Sequence, residues 1–246
     1  MSVNQPAAGA AELLALPGVA DAVENARSAL AALHRHPANR RGWPRTSAAA
    51  SVRAARASAA LDGGDPSLTA EQQSVADPVL AGALRVAAAL GSATAVWQRS
   101  PLQVLARLHT LAAADLVTDQ ETLGRPVRAA DRLAALAALI AADGAPAPIV
   151  VALAHGDLLA GAPFGIADGV VARAAGRLVA VTTGLDPHGL GVPEVAQLRA
   201  GGRYRELADG YAGGSPAGVA EWVVANCEWL SAGAREGRSI ADAAAD

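Results

Sequence analysis

The sequence predicts an all-α protein, and three observations carry that prediction. Aromatic residues make up 3% of the chain against 52% hydrophobic residues in total, so the core has to be built from Ala, Leu and Val, which suit close helix packing. In the long segments the apolar residues recur three and four positions apart, the helical period. Pro and Gly punctuate the ends of those segments. With 246 residues the chain can bury a substantial core.

Charge and cysteine usage narrow the partners. The formal net charge is −3, which supplies no general attraction to nucleic acid or anionic lipid. Cys227 is the single cysteine; it cannot form an internal disulfide and has no metal-ligand spacing around it, so it reads as a core filler in a reducing compartment. The start, MSVNQPAAGAAELL, lacks a basic region followed by a pure apolar run, and no segment reaches membrane-spanning length without polar interruption. The expectation is a cytoplasmic protein with neither nucleic acid nor membrane as partner.

Taken in order, residues 1–16 read as loosely ordered, and Pro17 opens a helix over 19–33 with Val19, Val23, Ala26, Leu30 and Leu33 on one face. The segment 34–45, HRHPANRRGWPR, reads as a basic loop broken by Pro37, Gly42 and Pro44. Its bland role is a solvated connection; its sharper one is a docking surface for an acidic partner. His34 and His36 lack companions for a metal site. A helix from Ser47 stops at Gly63-Gly64. After a loop and short helix over 64–77, Pro78 starts a helix over 79–96 anchored by Trp97, and Pro101 opens another with Leu102, Leu105, Leu108 and Leu111 on one face. His109 on that helix reads as a core or surface histidine. The connection LVTDQETLGRPVR leads to helices over 128–142 and 147–160, separated by GAPAP. Short helices follow a turn cluster after residue 182, and Ser215 starts the last long helix, its buried face including Val219, Trp222, Val223, Cys227 and Leu230.

The candidate site is residues 161–178, GAPFGIADGVVARAAGRL, a turn running into an Ala/Val-rich helix. Asp168 and Gly169 stand where turn becomes helix, so Asp168 is expected as the N-cap, its carboxylate accepting helix N–H groups. Such a junction gathers unpaired N–H groups and the positive end of the helix dipole, which favours an anion. Residues 162–173, A-P-F-x-x-A-D-G-V-x-x-R, resemble the motif H-P-F-x-[DE]-G-N-G-R-x-x-R of the Fic/Fido (adenylyltransferase) family. Pro163, Phe164, Gly169 and Arg173 match; Ala162, Ile166, Ala167, Asp168 and Val170 depart. Ser58 to Gly63, S-A-A-L-D-G, is similar to that family's inhibitory motif [ST]-x-x-x-E-[GN]. QVLARLHTLAA, the Gly124-Arg125 segment and Y-R-E-L-A-D-G-Y resemble the family's pre-flap helix, flap and post-motif segment, so the resemblance spans roughly 45–235.

The resemblance implies a Fic/Fido-like helical bundle with an N-terminal helical extension: an arm and basic loop over 1–44, the Fic-like domain over 45–235 and a frayed tail over 236–246. In the family the motif His takes the proton from the target hydroxyl, the acidic residue holds the metal, and the Asn and first Arg hold nucleotide phosphates. Ala162, Ile166, Asp168 and Val170 stand at those positions here, so no catalytic residue and no metal ligand is assigned. Asp168, Gly169 and Arg173 are the nucleotide- or anion-binding candidates, although a carboxylate at 168 repels phosphate oxygens rather than donating to them. Ser58, Asp62 and Gly63 are the inhibitory-motif-like residues, which implies an ion pair between Asp62 and Arg173. Gly124 and Arg125 take flap-like positions, with a plain helix–helix loop as the better reading of that segment. Phe164 and His155 are cavity-lining candidates; His155, seven residues before Ala162, lies two helical turns from the missing imidazole and reads as a buried helix histidine.

Two functions follow from the resemblance. One is a catalytically impaired relative of protein adenylyltransferases that serves as a protein- or anion-binding module. The alternative is an active transferase that moves AMP onto a protein hydroxyl by a non-standard mechanism; a further variant gives Asp168 an acid/base role. No cofactor is assigned: ATP is the candidate ligand and magnesium is disfavoured. The expected partner is an unidentified protein, with a nucleotide as second candidate and a homodimer as candidate assembly.

Overall fold

The computed structural model describes residues 12–68, 75–142 and 144–245, and among them every regular element is helical. In chain order these are α1 Val19–His34, α2 Pro37–Leu61, α3 Pro78–Trp97, α4 Pro101–Ala113, a 3-10 turn Gln120–Thr122, α5 Ala130–Ala141, α6 Ala147–Gly161, α7 Asp168–Thr182, α8 Pro193–Ala200, α9 Gly202–Ala212 and α10 Pro216–Ala243. Proline occupies one of the first two positions of α2, α3, α4, α6, α8 and α10, where its missing N–H would have had no helical partner. Asp77 and Ser215 cap α3 and α10 by accepting from the backbone N–H of Leu80 and Gly218. These signals explain why most of the helix starts were legible in the sequence.

The centre of the bundle is α6, whose Ile149, Val150, Val151, Ala152, Ala154 and Leu158 are buried. It packs along α7 and also meets α1, α5, α9 and α10. The N-terminal helix is part of the same core: α1 lies along α10 and inserts Val19, Val23, Ala26, Leu30 and Leu33. On the other flank α3 packs against α2, α4 and α7. It approaches α4 so closely that a Cβ on Gly82 would fall 2.1 Å from the carbonyl oxygen of Ala112. By length and composition α3 could cross a membrane, with a mean hydropathy of 1.7. Its one charged residue, Arg85, donates to the Leu111 carbonyl and pairs with Asp115 at 2.8 Å.

Two expectations are corrected. The basic segment is not a loop: after Arg35 and His36 the chain re-enters a helix at Pro37 and continues through Gly42 and Pro44 to Leu61. Tertiary contacts override the local breakers. Asn39, buried, donates to the Leu33 carbonyl at 3.0 Å and accepts from the Thr46 hydroxyl at 2.8 Å, and Trp43 stacks on His188. Pro44 and Arg40 are both exposed, so water can serve the carbonyl that the proline leaves without a donor. The tail expected to fray is helical to Ala243. Gly237 and Ala241 are buried there, and Asp242 meets His36 at 3.0 Å. The loose order read for 1–16 falls largely, and the short helix before Pro78 in its central part, outside the described residues.

Candidate functional site

The site forms where the end of α2 meets the start of α7. Gly63, at φ 85°, turns the chain out of α2, and the preceding residue, Asp62, is the C-cap. That places the Asp62 carboxylate at the N-terminus of α7, where unpaired N–H groups and the helix dipole favour negative charge. Each oxygen is used: Oδ2 accepts from the backbone N–H of Val170 at 3.0 Å, and Oδ1 from Arg173 Nη2 at 2.7 Å. The shorter Asp reaches Arg173 because α2 ends beside it. A Cβ on Gly169 would stand 2.4 Å from Asp62 Oδ1; glycine at 169 is what lets the carboxylate seat. The sequence placed the N-cap carboxylate on Asp168, and the structure corrects this. The N-cap is Ala167, and the capping carboxylate comes from Asp62, a residue 108 positions from Val170.

Every nitrogen of Arg173 donates. Its side chain is 2% exposed and that of Asp62 23%. Nε donates to the Ser58 hydroxyl at 2.8 Å, Nη2 to the Ser58 carbonyl at 2.9 Å as well as to Asp62, and Nη1 to the Tyr204 hydroxyl at 3.3 Å. Burial opposes the guanidinium charge, but the oxygens of Tyr204 and Asp62 outweigh it and the pKa is raised. Ser58, Asp62 and Arg173 are therefore brought together as the resemblance implied.

Behind Arg173 runs a row of hydrogen bonds whose direction can be deduced. Asn226 Nδ2 donates to the Trp222 carbonyl, so its Oδ1, 3.0 Å from His155 Nδ1, must accept. Nδ1 therefore carries the proton, and in a neutral ring Nε2 is left as acceptor for the Tyr204 hydroxyl at 2.8 Å. Tyr204 in turn accepts from Arg173. Burial depresses the His155 pKa to about 3, with the Asn226 bond opposing and the Arg173 charge adding to the shift. His155 is thus a neutral structural group, already bonded on both nitrogens. It lines a cavity of about 30 Å³ shared with Arg173, Arg177, Glu194, Gln197 and Asn226, room for a water or two.

The motif turn carries strained backbone. Ala162, Ala167 and, at the start of α5, Ala129 have φ of 38°, 55° and 58°; they are the only non-glycine residues with positive φ among those described. Such strain concentrates at functional sites. The Asp168 carboxylate points back into the turn and accepts from the Phe164 N–H at 3.0 Å. Burial raises its pKa; the Phe164 and Gly165 amides and Arg128 pull the other way, while Asp62 adds to the rise. Asp168 therefore shapes the turn and offers no donor to an anion. Phe164 lies away from the His155 cavity, stacked on His109 at 4.2 Å. His109 is buried and accepts at Nδ1 from the Gly124 N–H at 2.9 Å, which leaves the proton on Nε2, near the Ile166 carbonyl but without a bonded partner. The 115–129 connection has a single 3-10 turn and no strand. Gly124 serves His109, the exposed Arg125 bonds through its backbone N–H to Thr122, and Val127 donates to the Pro163 carbonyl at 2.8 Å.

Chemically, the start of α7 holds a carboxylate, that of Asp62. Ala162 supplies no base, Ile166 no metal ligand, and among the described residues no three metal-ligating side chains converge. A nucleotide phosphate does not fit at the start of α7 beside Asp62, because the carboxylate already holds both the Val170 N–H and Arg173. Sequence reasoning missed Tyr204 and Asn226. The signal for Tyr204 was present: the only two tyrosines, Tyr204 and Tyr211, lie seven apart on α9 and both turn their hydroxyls inward, Tyr211 to Asp157 at 2.9 Å. Away from this site, an open cleft of about 990 Å³ lies at the other end of α7, lined by Arg27, His34, Trp97, Thr182 and Thr183 among others.

The helix order and the Asp62–Arg173 junction define a protein of the Fic fold. No protein-family model and no curated protein matches the chain. Among solved structures it is similar to a Fic family protein from Desulfovibrio desulfuricans G20, with a TM-score of 0.70 over 91% of this chain and 74% of that one, at 18% identity. At that identity the likeness is one of fold.

Proposed function

We propose that this Fic-fold protein is a catalytically impaired relative of protein adenylyltransferases that works as a binding module, its anion site closed by its own Asp62. One observation carries the reading: the position a phosphate would take, at the Val170 N–H and Arg173, holds the Asp62 carboxylate, while the base position holds the methyl of Ala162. General-base transfer needs a proton acceptor within hydrogen-bond reach of the attacking hydroxyl, and His155 is spent on Asn226 and Tyr204. In this reading ATP is the ligand only when Asp62 is withdrawn, and magnesium has no carboxylate at 166.

Thermal melting and calorimetry with ATP, with and without magnesium, test it on the wild type and Asp62→Ala. The wild type is expected to show no shift, and the variant a rise of a few degrees from ligand bound to the folded state alone. Incubation with labelled ATP and lysate is expected to label nothing with either protein. Label that appears and is lost on Arg173→Ala would establish transfer and overturn the impaired reading.

A further inference from the structure

The start of α2 presents a second group of arginines, unlike the first. From Asn25 to Leu61 the chain has seven arginines and no acidic residue, within a protein of net charge −3. Arg35, Arg40, Arg41 and Arg45 are exposed, and none has an ion pair or a side-chain hydrogen bond among the described residues. Trp43 sits among them. It is 37% exposed, whereas Trp97, Trp222 and Trp229 are at most 7% exposed. Its ring is held in place by stacking on His188, centroids 4.1 Å apart and planes at 9°, and the His188 carbonyl anchors Ser47 one turn further on. Arg40 neighbours Trp43 three residues on, and Arg41 neighbours Arg45 four residues on, so the two pairs share the solvent side of α2.

We infer that this face of α2 docks a short acidic peptide segment of a partner protein, its carboxylates on Arg40, Arg41 and Arg45 and an apolar side chain on the edge of Trp43. The chemistry matches: arginine forks bind carboxylates in pairs, and Trp and Arg are the residues that dominate protein–protein hot spots. Preorganisation matches too. Gly42 and Pro44 disfavour a helix, yet buried Asn39–Thr46 bonding and the Trp43–His188 stack hold one, so little ordering is left to do on binding. Size selects a peptide over a nucleic acid, since Arg40 to Arg45 span about 8 Å of helix axis and the net negative charge opposes a long polyanion. The inference concerns a surface apart from Asp62 and holds whether or not that site admits a nucleotide.

The full chain is titrated with a synthetic hexapeptide carrying three Asp or Glu residues and one leucine, followed by tryptophan fluorescence, which the exposed Trp43 makes sensitive to this surface. A dT oligonucleotide of equal length is the second arm. The peptide is expected to shift the emission and to bind the wild type at least tenfold more tightly than Arg40→Glu/Arg41→Glu/Arg45→Glu. The milder triple change to Gln, with folding checked by circular dichroism, should lose binding as well. Arg99→Glu/Arg107→Glu/Arg205→Glu should leave it within about twofold, as screening confines exposed charges to their neighbourhood. Equal losses in the 40/41/45 and 99/107/205 variants, tighter binding of the oligonucleotide, or no binding of the peptide at low salt would each overturn the inference.

Discussion

Arg173 and the Arg40–Arg41–Arg45 group are the same side chain under opposite conditions. Arg173 is buried, and each of its nitrogens donates to Ser58, Asp62 or Tyr204 on two other helices. Arg40, Arg41 and Arg45 are exposed and form no ion pair or side-chain hydrogen bond among the described residues, unlike Arg53 and Arg56 further along the same helix. An interior charge has to be satisfied by the chain itself, because an unmatched one costs several kcal/mol; a surface charge is solvated and stays available to another molecule. The motif arginine is committed to the fold, whereas the uncommitted arginines lie far from the motif in sequence.

The sharpest way to break that contrast is Asp62→Ala. It strands a buried guanidinium and should cost about 3 kcal/mol, read from urea unfolding; Asp62→Ala/Arg173→Met should recover part of the loss. A loss under 1 kcal/mol would show that Arg173 is not held by Asp62. Next comes acid sensitivity. The unfolded chain protonates His155 below its ordinary value of 6.5, whereas the folded protein resists until about 3, so His155 subtracts nothing above pH 6.5 and removes stability steadily as the pH falls from there to about 3. Each pH unit in that window costs about 1.4 kcal/mol per proton. The half-buried Asp157 and Asp168, with raised pKa values, act with the opposite sign as they protonate. His155→Gln should lose about 2 kcal/mol less than the wild type between pH 7.5 and 5; equal acid sensitivity would mean that His155 is charged in the fold. Gly169→Ala should cost about 1–2 kcal/mol by pushing Asp62 off the Val170 N–H. The smallest effect is Ala162→Gly, where relief of the left-handed backbone should stabilise by about 0.5–1 kcal/mol, visible as a small rise in melting temperature.

The parts of the fold that local chemistry dictates were legible. Pro78, Pro101 and Ser215 announce helix starts, while the pairing of Asp62 with Arg173 came from the likeness of Ser58 to Gly63 to the inhibitory motif and not from local chemistry. What was not legible depended on partners far along the chain. Asp168 has every local mark of an N-cap, yet the carboxylate that fills the role belongs to another helix, and no window around residue 168 contains it. Pro44 and Gly42 read as breakers because the contacts that overrule them, Asn39 with Thr46 and Trp43 with His188, are tertiary. The polar tail after Arg235 looked frayed because its anchors, Leu33 and Leu190, which crowd Gly237, lie elsewhere in the sequence. Tyr204 went unassigned because its significance rests on both His155 and Arg173 at once.

The deduced orientation of the row from Arg173 through Tyr204, His155 and Asn226 to Trp222 has a last consequence. Every hydrogen in it already points one way, and reversing any one bond would leave two donors or two lone pairs facing each other at the next. The row ends in a guanidinium that does not give up its proton and in a side-chain amide that does not titrate, so it relays no proton across the bundle. It acts as a strut that fixes the distance between α6, α7, α9 and α10, and the stiffness it lends is what keeps the Asp62 lock in register with the start of α7.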